Sequence, residues 1–229
     1  MPTVLVTGAG RGIGLEFVRQ YSADGWRVIA GCRKPQAAPD LARLAASARG
    51  RITVHPLDVV DHEGIDRLSA ELESTPLDVL INNAGIGGNQ RFGQSSYAEW
   101  MEAFRVNALG PMKMAEAFVK QVAAGAQKKI VTLTSIMGSI GQNNLGGMYA
   151  YRSTKAAANA IVKTLALDLN RQGIVVVAMH PGWVRTDMGG PRAQLDVEAS
   201  VAGMRRVIAD LTRAQSGCFL SYEGKELPW

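Results

Sequence analysis

Short runs of β-branched and apolar residues alternate along this chain with longer segments in which apolar residues recur about every 3.6 positions. This alternation is typical of a parallel sheet whose strands are connected by helices on both faces. The predicted strands span residues 3–7, 27–32, 51–55, 77–82, 128–134, 174–179 and 217–221. The predicted helices span residues 13–23, 37–48, 62–72, 96–122, 149–171 and 197–212. The sequence therefore predicts an α/β fold with about seven parallel strands, because each helical segment is long enough for a crossover.

Length and composition favour one globular domain over residues 1–229. Hydrophobic residues make up 47% of the chain and charged residues 20%, which is ordinary globular usage and argues against disorder. No repeat, low-complexity tract or linker interrupts the alternation. The chain is therefore expected to bury a full core.

Three further features of the sequence indicate where in the cell the protein is expected. The longest clean apolar run, residues 174–179, is far shorter than the roughly 18–20 residues of a membrane-spanning helix. The N-terminus enters a strand-like run at once, without a basic leader. Cys32 and Cys218 are far apart and form no C-x-x-C pair. We therefore expect no membrane association and a reducing, cytoplasmic location.

Charge and histidine placement exclude two further classes of function. The net charge is +5, but the basic residues are scattered in ones and twos rather than gathered in a patch. Nucleic-acid binding is therefore not expected. The three histidines His55, His62 and His180 are separated along the chain and lack a nearby cysteine, so no metal site is expected.

The most informative motif is the glycine-rich segment Thr7-Gly8-Ala9-Gly10-Arg11-Gly12-Ile13-Gly14. It begins at the end of the first predicted strand and leads into an amphipathic helix. Positions without side chains let backbone N–H groups approach a pyrophosphate, and the helix N-terminus adds a partial positive charge. The alternative is a tight turn that binds nothing. We predict a Rossmann-type dinucleotide site in which Gly8, Gly12, Ile13 and Gly14 contact the cofactor.

The end of the second strand indicates which dinucleotide is bound. An acidic residue there would accept hydrogen bonds from a ribose 2′-hydroxyl and favour NAD, but the chain reads Gly31-Cys32-Arg33-Lys34. Arg33, together with Arg11, could hold a 2′-phosphate, which predicts NADP(H). Two solvated surface arginines are the alternative. Asp58 and Val59, after the third strand, are expected to bound the adenine.

Strand four ends in Asn82-Asn83-Ala84-Gly85, at the edge of the sheet where ligands of open α/β folds bind. Asn83, Ala84 and Gly85 are therefore predicted cofactor contacts, although a buried asparagine could equally satisfy backbone groups. Asn107 is a polar residue on the apolar face of the following helix. Its role depends on what it faces.

Tyr151 and Lys155 are four residues apart and therefore share one face of a helix. An adjacent ammonium would stabilise the phenolate and bring the tyrosine pKa from about 10 toward neutrality, where general acid–base catalysis is efficient. Tyr149 is the competing acid, but it lies on a different helical face from Lys155.

Two turns complete the predicted site. Strand five closes with Leu133-Thr134-Ser135, which places the Ser135 hydroxyl at the same edge; Ser139, in the glycine-containing loop 138–147, is its rival. A serine hydrolase is not expected because Gly-x-Ser-x-Gly is missing. After strand six, the Pro-Gly turn with Pro181, Gly182, Val184 and Thr186 has a hydroxyl and free backbone amides where a nicotinamide carboxamide could dock; an ordinary turn is the alternative.

These motifs, in this order, resemble the short-chain dehydrogenase/reductase family over essentially residues 3–229. The segments Ser-Ile-Met-Gly-Ser-Ile and Tyr-Ala-Tyr-Arg-Ser-Thr-Lys and the terminal Glu-Leu-Pro-Trp look like its C-factor and sniffer-type carbonyl reductase branch. The interval from Ser135 to Tyr151 is about three residues longer than is usual in the family. The loop 136–148 is therefore expected to bulge.

The resemblance implies an NADPH-dependent reductase acting on a small-molecule carbonyl compound, or on the corresponding alcohol in reverse. It implies a catalytic tetrad in which Tyr151 protonates the carbonyl oxygen and Ser135 polarises it. Lys155 would hold the nicotinamide ribose and lower the tyrosine pKa, and Asn107 would anchor a water that leads to Lys155. The alternative is an NADP(H)-binding sensor or signalling protein of the same fold with little turnover.

Assembly and substrate range are also expectations. The helices at 96–122 and 149–171 resemble those through which family members pair, so a homodimer or homotetramer is expected. The segment from Asp187 to Asp196 is too short to fold a helical lid. We therefore expect an open site that tolerates bulky or varied carbonyl compounds.

Overall fold

Seven strands form one parallel sheet in the computed structural model of the protein, which describes residues 1–88 and 90–229. The spatial order is β3-β2-β1-β4-β5-β6-β7. The strands are β1 (Thr3–Thr7), β2 (Arg27–Cys32), β3 (Ile52–Pro56), β4 (Val79–Asn82), β5 (Lys129–Leu133), β6 (Val175–His180) and β7 (Phe219–Ser221). This confirms the predicted fold class and the number of strands, with boundaries that shift by one or two residues.

Within the described residues, seven α-helices connect the strands. They are α1 (Gly12–Ala23), α2 (Pro39–Ser47), α3 (His62–Glu71), α4 (Tyr97–Phe104), α5 (Gly110–Ala124), α6 (Tyr149–Asp168) and α7 (Val197–Asp210). The helix predicted over residues 96–122 is wrong as one regular helix, because a π-helical turn at Arg105–Leu109 separates α4 from α5. The helix predicted over 37–48 begins later, since Pro35–Ala37 form a 3₁₀ turn and Pro39 starts α2.

Alternating residues of the buried strands pack on opposite faces of the sheet. Val4 and Val6 of β1 face a cluster with α1 and α7, whereas Leu5 faces a cluster with α3, α5 and α6. Strands buried on both faces read as continuous apolar runs, as β1 and β6 do. Packing of the two apolar clusters on opposite faces holds the sheet in place. The positions of the strand ends are therefore fixed as well.

The fold brings the carboxyl ends of β1, β2, β4, β5 and β6 to one edge, where the predicted site residues lie. The chain changes direction between β1 and β4, which are neighbours in the sheet although β2 and β3 come between them in sequence. A crevice at such a switch point is where ligands bind in open α/β sheets. In the part of the chain that the structure describes, no helix is long and apolar enough to cross a membrane.

Candidate active site

The glycine-rich turn is locked to the end of β4 by hydrogen bonds. The backbone amides of Asn83 and Ala84 both donate to Thr7 Oγ1 at 3.0 Å. The Asn83 side-chain amide donates to the carbonyl oxygens of Thr7 at 2.8 Å and Gly8 at 3.2 Å. The Asn83 side chain thus holds the turn in place, which is the alternative that the sequence left open for this residue.

The glycines of this turn are required by close contacts. A Cβ on Gly14 would stand 2.2 Å from Gly8 O and 2.5 Å from Asn83 Nδ2. Gly8 has a φ of +67°, and a Cβ there would be 2.9 Å from Ala84 Cα. No side chain at these positions fits without moving the backbone. Because Gly8 and Gly14 carry no side chains, the backbone of the turn is accessible to a ligand at the start of α1.

The first turn of α1 suits an anionic group. Arg11 is the N-cap residue and makes no side-chain cap, and the first turn of α1 contains no acidic residue. The first N–H groups of a helix have no partner inside the helix and point out of its positive end. Gly12, Ile13 and Gly14 therefore present backbone donors at the crevice, as a pyrophosphate requires.

The two arginines predicted to select NADP are both exposed, and Arg11 belongs to the glycine-rich turn itself. Arg11 Nη1 lies 2.5 Å from Asp187 Oδ2, so this guanidinium is paired across the crevice with the segment after β6. Arg33 follows the end of β2. Asp187 is a residue that the sequence analysis missed, and no motif pointed to it.

The predicted adenine boundary follows β3 directly. Asp58 Oδ1 accepts a hydrogen bond from the Val60 amide at 3.2 Å, which closes a local turn. Val59 is buried and lies against Gly110 at the start of α5, where a Cβ would come within 2.9 Å of Val59 Cβ. These contacts fix Asp58 in a local turn after β3 and Val59 against the start of α5.

The π turn places Asn107 inside the protein. The Asn107 side-chain amide donates to Ile86 O at 2.9 Å and to Thr154 Oγ1 at 3.1 Å, while its oxygen accepts from the Ile86 amide at 2.8 Å. Asn107 thereby joins the segment after β4 to α6. Ile86 and Thr154 were not predicted, although Thr154 lies within the Tyr-x-x-x-Lys motif.

Lys155 is buried at the end of β5. Its ammonium donates to Leu133 O at 2.9 Å and lies 5.8 Å from the centre of the Tyr151 ring. A Cβ on Gly85 would lie 3.5 Å from Lys155 Nζ and 3.2 Å from Asn107 Oδ1. Gly85, Asn107 and Lys155 therefore meet in one place, as the motif order predicts.

The prediction that the pKa of Tyr151 is lowered toward neutrality is wrong. Burial raises the pKa of Tyr151 above its usual value of 10, and the nearby Ser135 hydroxyl only partly opposes this. The Lys155 ammonium, which lies 5.8 Å from the centre of the Tyr151 ring, does not offset the effect of burial, and burial lowers the pKa of Lys155 itself to about 8. Burial thus favours the neutral form of each group.

Ser135 and its rival Ser139 have different surroundings. Ser135 follows β5, accepts a hydrogen bond from the Met137 amide at 3.2 Å, and its hydroxyl lies near that of Tyr151. Ser139 Oγ instead donates to Trp229 O at 3.2 Å and accepts from the Gln142 amide at 3.2 Å. The geometry therefore brings Ser135, and not Ser139, next to Tyr151.

The turn after β6 closes the crevice. Gly182 has a φ of +86°, and a Cβ there would meet Leu195 at 2.6 Å. Pro181 O accepts from the Ser200 hydroxyl at 2.6 Å, and Val184 pairs with Leu195 in an isolated bridge. Thr186 lies opposite Gly12, since a Cβ on that glycine would be 3.5 Å from Thr186 Cγ2. The turn thus faces the glycine-rich segment across the crevice.

Loops with exposed apolar side chains border the other side of the site. Residues 181–196, all of which the structure describes, contain turns but no helix. The exposed apolar residues on this side are Phe92, Ile140, Leu145, Trp183 and Met188. The Tyr149 ring lies 6.5 Å from Phe92 and 6.3 Å from Trp100, at the surface rather than beside Lys155. The loop 139–148 contains no helix or strand and is mostly exposed.

The chain belongs to the short-chain dehydrogenase family, because a family model described as short chain dehydrogenase matches residues 2–196. Among its relatives is the C-signal of Myxococcus xanthus, 47% identical over 155 residues that make up 67% of this chain and 93% of the relative. The 1-hydroxy-2-glutathionyl-2-methyl-3-butene dehydrogenase of Rhodococcus sp. (strain AD45) is 37% identical over the full length of both chains.

Solved structures agree with this assignment. The carbonyl reductase Sniffer of D. melanogaster matches with a TM-score of 0.95 and 34% identity over 100% of both chains. An NADPH-bound carbonyl reductase from chicken fatty liver matches with a TM-score of 0.94 and 35% identity, over 100% of this chain and 99% of that one. The predicted family and its C-factor and sniffer-type branch are confirmed.

Proposed function

We propose that this protein is an NADPH-dependent reductase that transfers a hydride to a carbonyl compound, with Tyr151 as the general acid. One observation carries the proposal: Ser135, Tyr151 and Lys155 meet at the end of β5, across the same crevice as the open glycine-rich turn. An aldehyde, ketone or quinone would gain a hydride and a proton, and NADPH would become NADP⁺. The reverse reaction would oxidise the alcohol.

NADP(H) is the cofactor, in agreement with the NADP-bound structures of similar proteins. The uncapped first turn of α1, the crowded glycines and the lack of an acid after β2 all fit this group. The residues that we propose to contact it are Gly8, Arg11, Gly12, Ile13, Gly14, Arg33, Asp58, Val59, Asn83, Ala84, Gly85, Tyr151, Lys155, Pro181, Gly182, Val184 and Thr186.

Tyr151 has the properties of a proton donor. The phenol is protonated at neutral pH, so it carries a proton that a carbonyl oxygen can take up as negative charge develops there, although the raised pKa does not itself favour the transfer. The Ser135 hydroxyl is fixed at the end of a rigid strand and can donate a second hydrogen bond to the same oxygen. NADPH, when bound, supplies the hydride.

Lys155 and Asn107 support this donor. One of the three ammonium N–H groups of Lys155 is bonded to Leu133 O, and the others are available to hydroxyl groups of the nicotinamide ribose. Both side-chain N–H groups of Asn107 already donate hydrogen bonds, to Ile86 O and Thr154 Oγ1. A water would therefore bind Asn107 only by donating a hydrogen bond to its side-chain oxygen. The position of Asn107 beside Gly85 and Lys155 suits a water that returns a proton to the site.

The proposal is tested by incubating the purified protein with NADPH or NADH and a panel of aliphatic aldehydes, aromatic ketones and quinones. We expect NADPH oxidation that depends on the carbonyl compound. An NADP(H)-binding sensor of the same fold is the alternative, and NADPH binding without turnover of any carbonyl would favour it. The homodimeric or homotetrameric assembly stays a prediction, which light scattering tests.

A further inference from the structure

The C-terminal segment of the chain, Glu226-Leu227-Pro228-Trp229, is attached to the loop that follows Ser135. It folds back along β7: Glu226 pairs with Leu220 in an antiparallel bridge, and the Leu227 amide donates to Phe219 O at 2.7 Å. The Trp229 ring then stacks on the Phe219 ring, with centres 5.7 Å apart and planes at 23°. The segment is therefore held by both backbone and side-chain contacts.

The end of this segment binds the loop at two points. Trp229 O accepts a hydrogen bond from Ser139 Oγ at 3.2 Å and another from the Gly141 amide at 3.1 Å. The Ser139 side chain is buried and also accepts from the Gln142 amide, so it cannot turn away without losing two bonds. These bonds cross from residue 229 to a loop some ninety positions earlier in the chain.

The bonded loop is continuous with the catalytic residues. Ser135 caps a 3₁₀ turn at Ile136–Gly138, in which the Gly138 amide donates to Ser135 O at 2.8 Å. A Cβ on Gly138 would stand 2.8 Å from the carbonyl carbon of Lys155, so the turn packs directly on α6. Ser139 comes next. The turn thus has α6 on one side and the C-terminal segment on the other.

We propose that the 226–229 segment is a latch that positions Ser135 and the loop 139–148, and that Trp229 is its positioning residue. The latch keeps the loop beside the substrate opening, where Ile140 and Leu145 are exposed. It does not touch the glycine-rich turn that we assign to the cofactor. The inference rests on the proposed function, since its consequence is a change in carbonyl binding.

The test compares the full-length protein with W229A, W229F and S139A. For W229A we expect the KM for the best carbonyl to rise about three- to tenfold, with the NADPH Kd within twofold of the wild-type value. W229F keeps a ring on Phe219 and should restore KM. S139A removes one of the two bonds to Trp229 O and should raise KM by a smaller factor.

A matched control separates the latch from general loss of stability. Trp26 packs on Tyr21, with ring centres 4.7 Å apart, at the end of the sheet where the strands begin. W26A should lower thermal stability while leaving the carbonyl KM unchanged. Amide hydrogen exchange gives an independent readout, because the Gly141 amide should exchange faster in W229A than in the wild type.

The outcomes are distinguishable. A wild type that turns over no carbonyl contradicts the proposed function itself. An active wild type whose carbonyl KM is unchanged in both W229A and S139A overturns the latch alone. Equal increases of KM in W229A and W26A also overturn it, because the effect would then come from lost stability.

Discussion

The two sides of the crevice are built differently. On the cofactor side, residues 7–14 and 82–85 are held by hydrogen bonds of 2.8–3.2 Å, and two glycines have no room for a Cβ. On the substrate side, the loops at 139–148 and 187–196 contain no regular helix or strand and expose large apolar side chains such as Leu145 and Met188.

This difference shows where tight packing is needed. Backbone amides must approach a pyrophosphate closely, so the cofactor side depends on positions without side chains and on the partners that hold them. A carbonyl substrate instead meets side chains that can change without disturbing the sheet. The following predictions test whether the two sides are as separate as the contacts indicate.

The largest effect is expected for Tyr151. Y151F removes only the hydroxyl, so the fold and NADPH affinity should survive while kcat falls about 10²–10⁴-fold. Steady-state kinetics and NADPH titration measure the two quantities separately. Y149F is the matched control, since Tyr149 packs on Phe92 and Trp100, and it should retain kcat. A larger loss of kcat in Y149F than in Y151F would move the acid to Tyr149.

A pair of glycine substitutions compares the two sides directly. G14A places a methyl group 2.2 Å from Gly8 O, so the turn must shift, and NADPH affinity should fall by more than about tenfold. G141A on the substrate side meets nothing closer than Trp229 O at 3.6 Å and should leave NADPH affinity unchanged. Equal NADPH affinities of G14A and the wild type, measured by titration, would contradict the crowded turn.

Replacing Arg33 should weaken the binding of NADPH and leave the binding of NADH unchanged. R33A removes a charge-assisted contact to the 2′-phosphate, worth about 1.5–3 kcal/mol, so NADPH binding should weaken roughly tenfold or more while NADH binding stays the same. R43A is a control, because Arg43 is an exposed arginine of α2 that pairs with Asp40. If R33A weakened NADPH and NADH equally, Arg33 would not select the phosphate.

The smallest effect is a dependence on pH. Burial lowers the pKa of Lys155 to about 8, so its charge is present below that pH and lost as the pH rises through it. Since kcat/KM reports groups of the free enzyme, kcat/KM for NADPH should fall a few-fold between about pH 7 and 9. The pKa of Tyr151 is raised and adds nothing in this range. A flat profile would show that the charge of Lys155 is not needed for binding.

The sequence constrains the positions of residues on the cofactor side more closely than those on the substrate side, for a physical reason. The glycine-rich turn and Asn83 lie at strand ends, where the alternation of elements already sets their positions. The π turn around Asn107 could not be predicted, because the periodicity of residues 96–122 indicates one helix. The Arg11–Asp187 pair and the bonds of Trp229 join residues far apart in the chain, and no local pattern encodes them.

The pKa of Tyr151 was predicted wrongly for the same reason, because it depends on contacts that no local pattern encodes. The spacing of Tyr151 and Lys155 places both on one face of α6, but it does not show that the ammonium bonds to Leu133 O and faces the ring. Burial of each group then dominates its pKa, and burial is a property of the whole fold.

The most direct test of the account is the stoichiometry of turnover by the wild-type protein. Purified enzyme is given NADPH and a limiting amount of the best carbonyl from the panel, and the loss of NADPH absorbance is compared with the alcohol formed. We predict one NADPH oxidised for each alcohol, with much slower turnover when NADH replaces NADPH. Tight binding of NADPH with no alcohol formed from any aldehyde, ketone or quinone would contradict the account.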